Sequence, residues 1–142
     1  MLEINTKQPL GKFLSSTGRI FLSALNNKLK NLDIDRNFYA LLLIEESKGK
    51  ITQQGLADLL NSNKVSVVRI IDYLSNKGYV KRVKDPSDKR KYGLILTLKA
   101  EKEMPLIKKA IEEVTRAAFN GLTEEKINEL YDILNLIRNN LN

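Results

Sequence analysis

Only about three residues, Asn61, Ser62 and Asn63, separate two stretches whose apolar residues recur with helical spacing, and this short polar break constrains the chain more than any other feature. Before it, Thr52 is a candidate N-cap for a short helix through Leu56, Ala57, Leu59 and Leu60. After it, a helix is predicted from about Ser62 to Asn76. Val67, Ile70, Ile71 and Leu74 form its inner face at i, i+3, i+4 and i+7, and Gly78 stops it. At about 100° per residue, Ser62, Val65, Arg69 and Asp72 fall on the opposite face, flanked by Ser66 and Tyr73. A β-leaning run over residues 79–84 follows. The turn-forming Asp85, Pro86, Ser87 and Asp88 then lead towards a second run at residues 94–98. Two strands joined by a polar loop make a hairpin, and the loop from Asp88 to Lys91 is almost entirely charged.

Helices flank this unit on both sides. Leu10, Phe13, Leu14, Phe21, Ala24, Leu25 and Leu32 describe one long amphipathic helix that opens just after Pro9. Asp35 is a candidate N-cap for a largely buried helix through Phe38, Leu41, Leu42 and Glu45, with Gly49 as its left-handed stop. Thr97 can cap a helix that carries Leu106, Ile107, Ala110, Ile111, Val114, Ala117 and Ala118 and stops at Gly121; Pro105 should kink it or delay its start. Thr123 caps the last helix, where Ile127, Leu130, Leu134, Ile137 and Leu141 follow the 3, 4, 3, 4 spacing of a two-helix seam. One chain has no second copy of that stripe, so an obligate homodimer is expected; the other reading is that the stripe covers the first helix of the same chain. The expected fold is mainly α with a small β-hairpin, six helices in all, without internal repeat or linker.

Composition excludes several chemistries. The sequence has no cysteine and no histidine, which removes disulfides, thiolate nucleophiles, thiol redox sensing, the commonest metal ligand and the commonest general base near neutrality. No cofactor and no metal are expected. The carboxylate pairs Glu45 and Glu46, and Glu112 and Glu113, are adjacent, so on a helix they point about 100° apart and do not converge as acid and base. An enzyme is therefore not expected. The longest apolar run, residues 38–44, is far short of the roughly 20 residues that cross a bilayer, and no signal-peptide pattern opens the chain, so the expected location is cytoplasmic and no membrane partner is expected. Of the net charge of +7, the segment from residue 61 to residue 92 supplies +6, with nine basic and three acidic groups. So concentrated a charge is what binding to a polyanion needs, although a solvated basic face reads the same way.

Helix, short turn, helix and basic-tipped hairpin is the order of a winged helix-turn-helix, in which the second helix enters the major groove and the hairpin reaches a minor groove or the backbone. Small polar residues at the start of that helix, Ser62, Asn63 and Ser66, let the backbone approach the bases. Arg69 can reach a guanine or a phosphate, and the Val65 methyls can touch a thymine methyl. Ser62 as a mere cap and Arg69 as a solvated side chain remain equal alternatives. From Lys81 to Thr97 the chain closely resembles the wing of the MarR family of bacterial transcription regulators (multiple antibiotic resistance regulators), with Asp88, Lys89 and Arg90 at the tip and Leu96 and Thr97 closing the second strand. The run Asn76, Lys77, Gly78, Tyr79, Val80, Lys81 and Arg82 resembles that family's helix-to-strand turn, and the helix order matches over essentially the whole chain.

The resemblance implies a homodimeric transcription regulator, a repressor of a palindromic operator on double-stranded DNA. It implies a single domain over residues 1–142, with a winged lobe at about 34–98 on dimerisation helices at about 8–32 and 99–142. It assigns Ser62, Lys64, Val65, Ser66 and Arg69, with the adjoining Asn63, to the reading helix; Lys89, Arg90 and the neighbouring Lys91 to DNA contact; and Asp88 to bracing the wing. Ala100 stands where the family usually has glycine, three positions after Thr97, which implies a differently built start to the next helix. Many members bind small aromatic or anionic effectors, for which Arg19, Phe38 and Tyr39 are candidates beside a plain packing or surface role. The reading from another class is a winged-helix module that meets an acidic protein and has no specific DNA site.

Overall fold

The computed structural model describes residues 2–88 and 90–142. The described elements run α1 (Leu10–Leu29), α2 (Phe38–Ser47), α3 (Gln53–Leu59), α4 (Lys64–Asn76), β1 (Val80–Lys84), β2 (Tyr92–Leu96), α5 (Leu98–Ala118) and α6 (Glu124–Leu141). Helices α2 to α4 and the antiparallel hairpin enclose the core, with Phe38, Leu41, Ile44, Leu56, Ile71, Leu74, Tyr79 and Leu94 inside; Leu25 and Leu29 of α1 and Met104 and Ile107 of α5 extend it. Helix α1 packs against α5.

Several boundaries differ from the sequence reading, each for a local reason. Helix α1 stops at Leu29 rather than Leu32, because the chain turns there with the Leu32 amide donating to the Leu29 carbonyl at 3.0 Å. Asp35 is not the cap of α2: it has φ 46°, and the residue in the cap position is Asn37, whose side chain makes no capping bond. At the other end of α2 the left-handed conformation begins one residue early, at Lys48 (φ 53°), and continues through Gly49. Strand β2 starts at Tyr92 and ends at Leu96, because Thr97 already caps α5 and Leu98 is its first residue. Pro105 lies inside α5 and does not delay it.

The hairpin is tied to the lobe at Ile51 and closed at its base by Thr97. Its register pairs Val80 with Leu96 and Lys84 with Tyr92. The Leu94 amide donates to the Ile51 carbonyl at 3.0 Å, which lays the segment before α3 along the free edge of β2. Thr97 closes the base: its amide donates to the Tyr79 carbonyl at 3.0 Å, its hydroxyl donates to the Gly78 carbonyl at 2.6 Å, and the same oxygen accepts the Ala100 amide at 3.2 Å. Ala100 itself is buried within an ordinary first turn, so the missing glycine leaves the start of α5 intact.

Candidate nucleic-acid interface

The turn into α4 is set by short polar side chains. Asn61 adopts φ 51°, a conformation that asparagine tolerates better than most residues. The Ser62 amide then donates back to the Ala57 carbonyl at 2.9 Å. Asn63, not Ser62, is the N-cap: its Oδ1 accepts the Ser66 amide at 2.8 Å, and the helix begins at Lys64. The Ser62 side chain is therefore left exposed ahead of the helix. Val67, Ile71 and Leu74 are buried against the core, which turns Lys64, Val65, Arg69 and Asp72 to solvent with Ser66 half-buried beside them. Val65 is 66% exposed, an apolar side chain held out among polar ones.

Two aspartates shape the wing tip. Asp85 Oδ1 accepts the amide of Ser87 at 2.8 Å and its hydroxyl at 2.6 Å, and these bonds hold the Asp85 carboxyl below its ordinary range. Asp88 Oδ1 accepts the Arg90 amide at 3.0 Å, and the Asp88 carbonyl accepts the Lys91 amide at 3.0 Å. The Arg90 side chain is 96% exposed and comes no nearer than 3.9 Å to Asp88. Lys89, the other basic residue expected at the tip, lies outside the described residues.

Between α4 and the hairpin runs an open groove of about 520 Å³, lined by Thr52, Gln53 and Gln54 of the α3 start together with Lys64, Arg82, Arg90, Lys91 and Tyr92. Among the described residues four cations and no carboxylate line it, and one of the four, Arg82, is paired with Asp72. Lys64, Arg90 and Lys91 are expected here from the sequence; Thr52, Gln53, Gln54, Arg82 and Tyr92 are not. Their shared position appears only once the Ile51 carbonyl pins α3 to β2. Among the described residues Arg69 makes no ion pair: Asp72 is taken by Arg82 at 2.6 Å.

The far end of α4 is tied to the loop after α1. The Tyr73 hydroxyl donates to Asp33 Oδ1 at 2.6 Å, and Lys77 Nζ lies 3.0 Å from Asp33 Oδ2. The hydrogen bond to Asp33 pushes the Tyr73 phenol up to about 12, while the same bond, then Lys77, draws the Asp33 carboxyl down.

The effector candidates are not brought together. Phe38 is 1% exposed and packs edge-on to Tyr39 at 4.9 Å between ring centres, so it is a core residue. Tyr39 borders an open apolar groove with Leu42, Leu43, Glu46, Leu59 and Leu60, and Arg19 is not part of it. Helix α6, which carries the predicted seam, buries no residue; Leu130 and Leu141 are exposed, and Ile127, Leu134 and Ile137 are half-buried. It also exposes Tyr131, Ile133 and Leu136, which the seam pattern did not include.

A short turn between α3 and α4, a protruding hairpin and the cationic groove between them define a winged helix-turn-helix protein. The sequence profile of the MarR family matches residues 34–91. The chain is 30% identical over 120 residues to the HTH-type transcriptional regulator YybA of Bacillus subtilis (strain 168), covering 84% of this chain and 79% of that one. Its fold is similar to that of the transcriptional regulator SlyA, with a TM-score of 0.83 at 26% identity over 90% of each chain. It is similar also to a MarR family regulator from Listeria monocytogenes complexed with 26mer DNA, with a TM-score of 0.83 at 27% identity, covering 99% of this chain and 90% of that one. A mutant MarR from E. coli complexed with operator DNA gives a TM-score of 0.82 at 25% identity over 94% and 96% of the two chains. The chain belongs to the MarR family of transcriptional regulators, and these relatives are regulators rather than enzymes.

Proposed function

We propose that this regulator binds double-stranded DNA sequence-specifically, as a homodimer, and represses transcription from a palindromic operator. The observation that carries the reading is the groove between α4 and the wing, where Lys64, Arg90 and Lys91 stand with no carboxylate among the described lining residues. Such a groove suits a phosphodiester strand, while the exposed face of α4 suits base edges in the major groove. Ser62, Asn63, Lys64, Val65, Ser66 and Arg69 read the site; Asp88 shapes the wing, and Lys89, Arg90 and Lys91 bind backbone or minor groove. The similar proteins from Listeria monocytogenes and E. coli were each solved with DNA.

The second copy is supported by α6, whose apolar residues the chain itself leaves exposed or only half-buried. In this reading residues 34–98 form the winged lobe, and residues 8–32 and 99–142 pair with those of the partner. Two reading helices then meet half-sites about one helical turn, roughly 34 Å, apart. A small aromatic or anionic effector would release the operator by favouring a spacing that does not fit it. Among the described residues no helix is long and apolar enough to cross a membrane, which agrees with work in the cytoplasm. Selection of bound sequences from random and genomic duplexes tests the reading. Enrichment of one inverted repeat is expected; uniform recovery, or no recovery above background, would replace it with the protein-interaction alternative.

A further inference from the structure

Arg82 belongs to the basic stretch, yet its guanidinium is committed within the protein. Its Nη2 donates to Asp72 Oδ1 at 2.6 Å and its Nε donates to Gln53 Oε1 at 2.8 Å. One planar group therefore joins three elements: the wing through β1, the reading helix through Asp72, and the first turn of α3 through Gln53. Arginine suits this work because its donors are fixed in a planar fork, whereas the three donors of a lysine ammonium rotate on a flexible stem and set no fixed angle between two partners.

The bond also accounts for a carboxylate in an unfavourable place. Asp72 is the only acidic residue in α4 and stands on the exposed face, where it would repel phosphate unless a cation were held against it. The wing, meanwhile, needs an anchor beyond its base. A two-stranded hairpin is marginal alone, and β1 buries only Val80. Arg82 acts halfway along the strand, level with Leu94 of β2.

We infer that Arg82 is a positioning residue: through Asp72 and Gln53 it fixes the angle between wing and reading helix, so that Arg90 and Lys91 engage the same duplex that α4 reads. The phosphate charge is neutralised by its neighbours and not by Arg82. This inference rests on the DNA-binding reading above, and its test has one arm that needs no DNA.

In the free protein, amide hydrogen exchange across the hairpin should quicken in both Arg82→Ala and Asp72→Ala. Exchanging the two charges, Asp72→Arg with Arg82→Asp, should restore protection. With the selected operator, each single variant should bind about three- to tenfold more weakly at an unchanged salt dependence, and the double alanine variant no more weakly than either single. Unaltered hairpin exchange in both variants would overturn the inference. So would a salt slope reduced by about one unit per arm in Arg82→Ala, together with equal or tighter binding by Asp72→Ala, since that pattern marks a direct phosphate contact. If the wild type binds no duplex at all, the DNA reading fails and the exchange measurement alone decides whether the clamp exists.

Discussion

The backbone of Gly93 in β2 passes so close over Gly49 that a Cβ at position 93 would stand 2.2 Å from the Gly49 carbonyl oxygen. The turn after α2 and the second wing strand therefore share one backbone contact, and the side chain that would separate them is missing.

Gly93→Ala should force this contact apart, because the obstacle is backbone and cannot rotate away. The expected loss is about 2 kcal/mol or more, a drop in melting temperature of several degrees. A thermal melt by circular dichroism checks it; an unchanged midpoint would mean the hairpin is free to shift.

Arg90 and Arg69 should fail differently. Arg90→Ala is expected to weaken operator and unrelated duplexes together and to lower the slope of log K against log salt by up to about one unit per dimer arm. Arg69→Ala should cost roughly 1 to 3 kcal/mol on operator and less on unrelated DNA. Because Asp72 is already paired with Arg82, Arg69→Ala should leave the melting temperature nearly unchanged. Titrations at several salt concentrations beside a melting curve separate the two; a large fall in stability with unaltered base preference would make Arg69 a brace.

Leu134→Glu places a charge in the α6 stripe. The expected product is a folded monomer, or a poorly folded chain, that no longer binds an inverted repeat. Sedimentation at micromolar concentration decides this, and a monomeric wild type would refute the pairing.

Stability should be flat across neutral pH and fall in acid. No histidine titrates in the neutral range. Hydrogen bonding by Tyr73, then Lys77, keeps the Asp33 carboxyl below its ordinary 3.8; the bond from Lys28 acts likewise on Glu113, below its ordinary 4.5. Both folded values are depressed, so the unfolded chain takes up protons first. Their contribution is complete above the unfolded values and is lost as pH falls through the folded ones. Melting temperature measured against pH should hold level from about pH 5.5 to 8.5, and Asp33→Asn should flatten the acid limb.

Much of this was legible in the sequence because it is periodic or local. The inner face of α4 followed from the spacing of Val67, Ile71 and Leu74, and the caps Thr52, Thr97 and Thr123 from side chains that bond the next turn. Asp35 misled because a good capping residue does nothing when its own backbone is left-handed. Ser62 and Asn63 are both good caps one position apart, and only backbone geometry chose between them. The burial of Phe38 agrees with the largely buried helix that its apolar run predicts, so of the two roles open to it the packing one holds. Gln53 and Arg82 lie far apart in the chain, so their meeting, and the groove around it, belongs to tertiary structure alone.

Among the described residues, every buried side chain lies between Leu25 and Val114. During synthesis the winged lobe can therefore close as soon as α5 has emerged, whereas the outer half of α1 and all of α6 bury no side chain in that core. If their partner is a second copy, assembly waits on encounter, and in dilute conditions the amount of paired protein grows with the square of the amount made. Operator occupancy would then respond to expression level more steeply than in proportion, giving the cell a threshold below which newly made chains leave the promoter open.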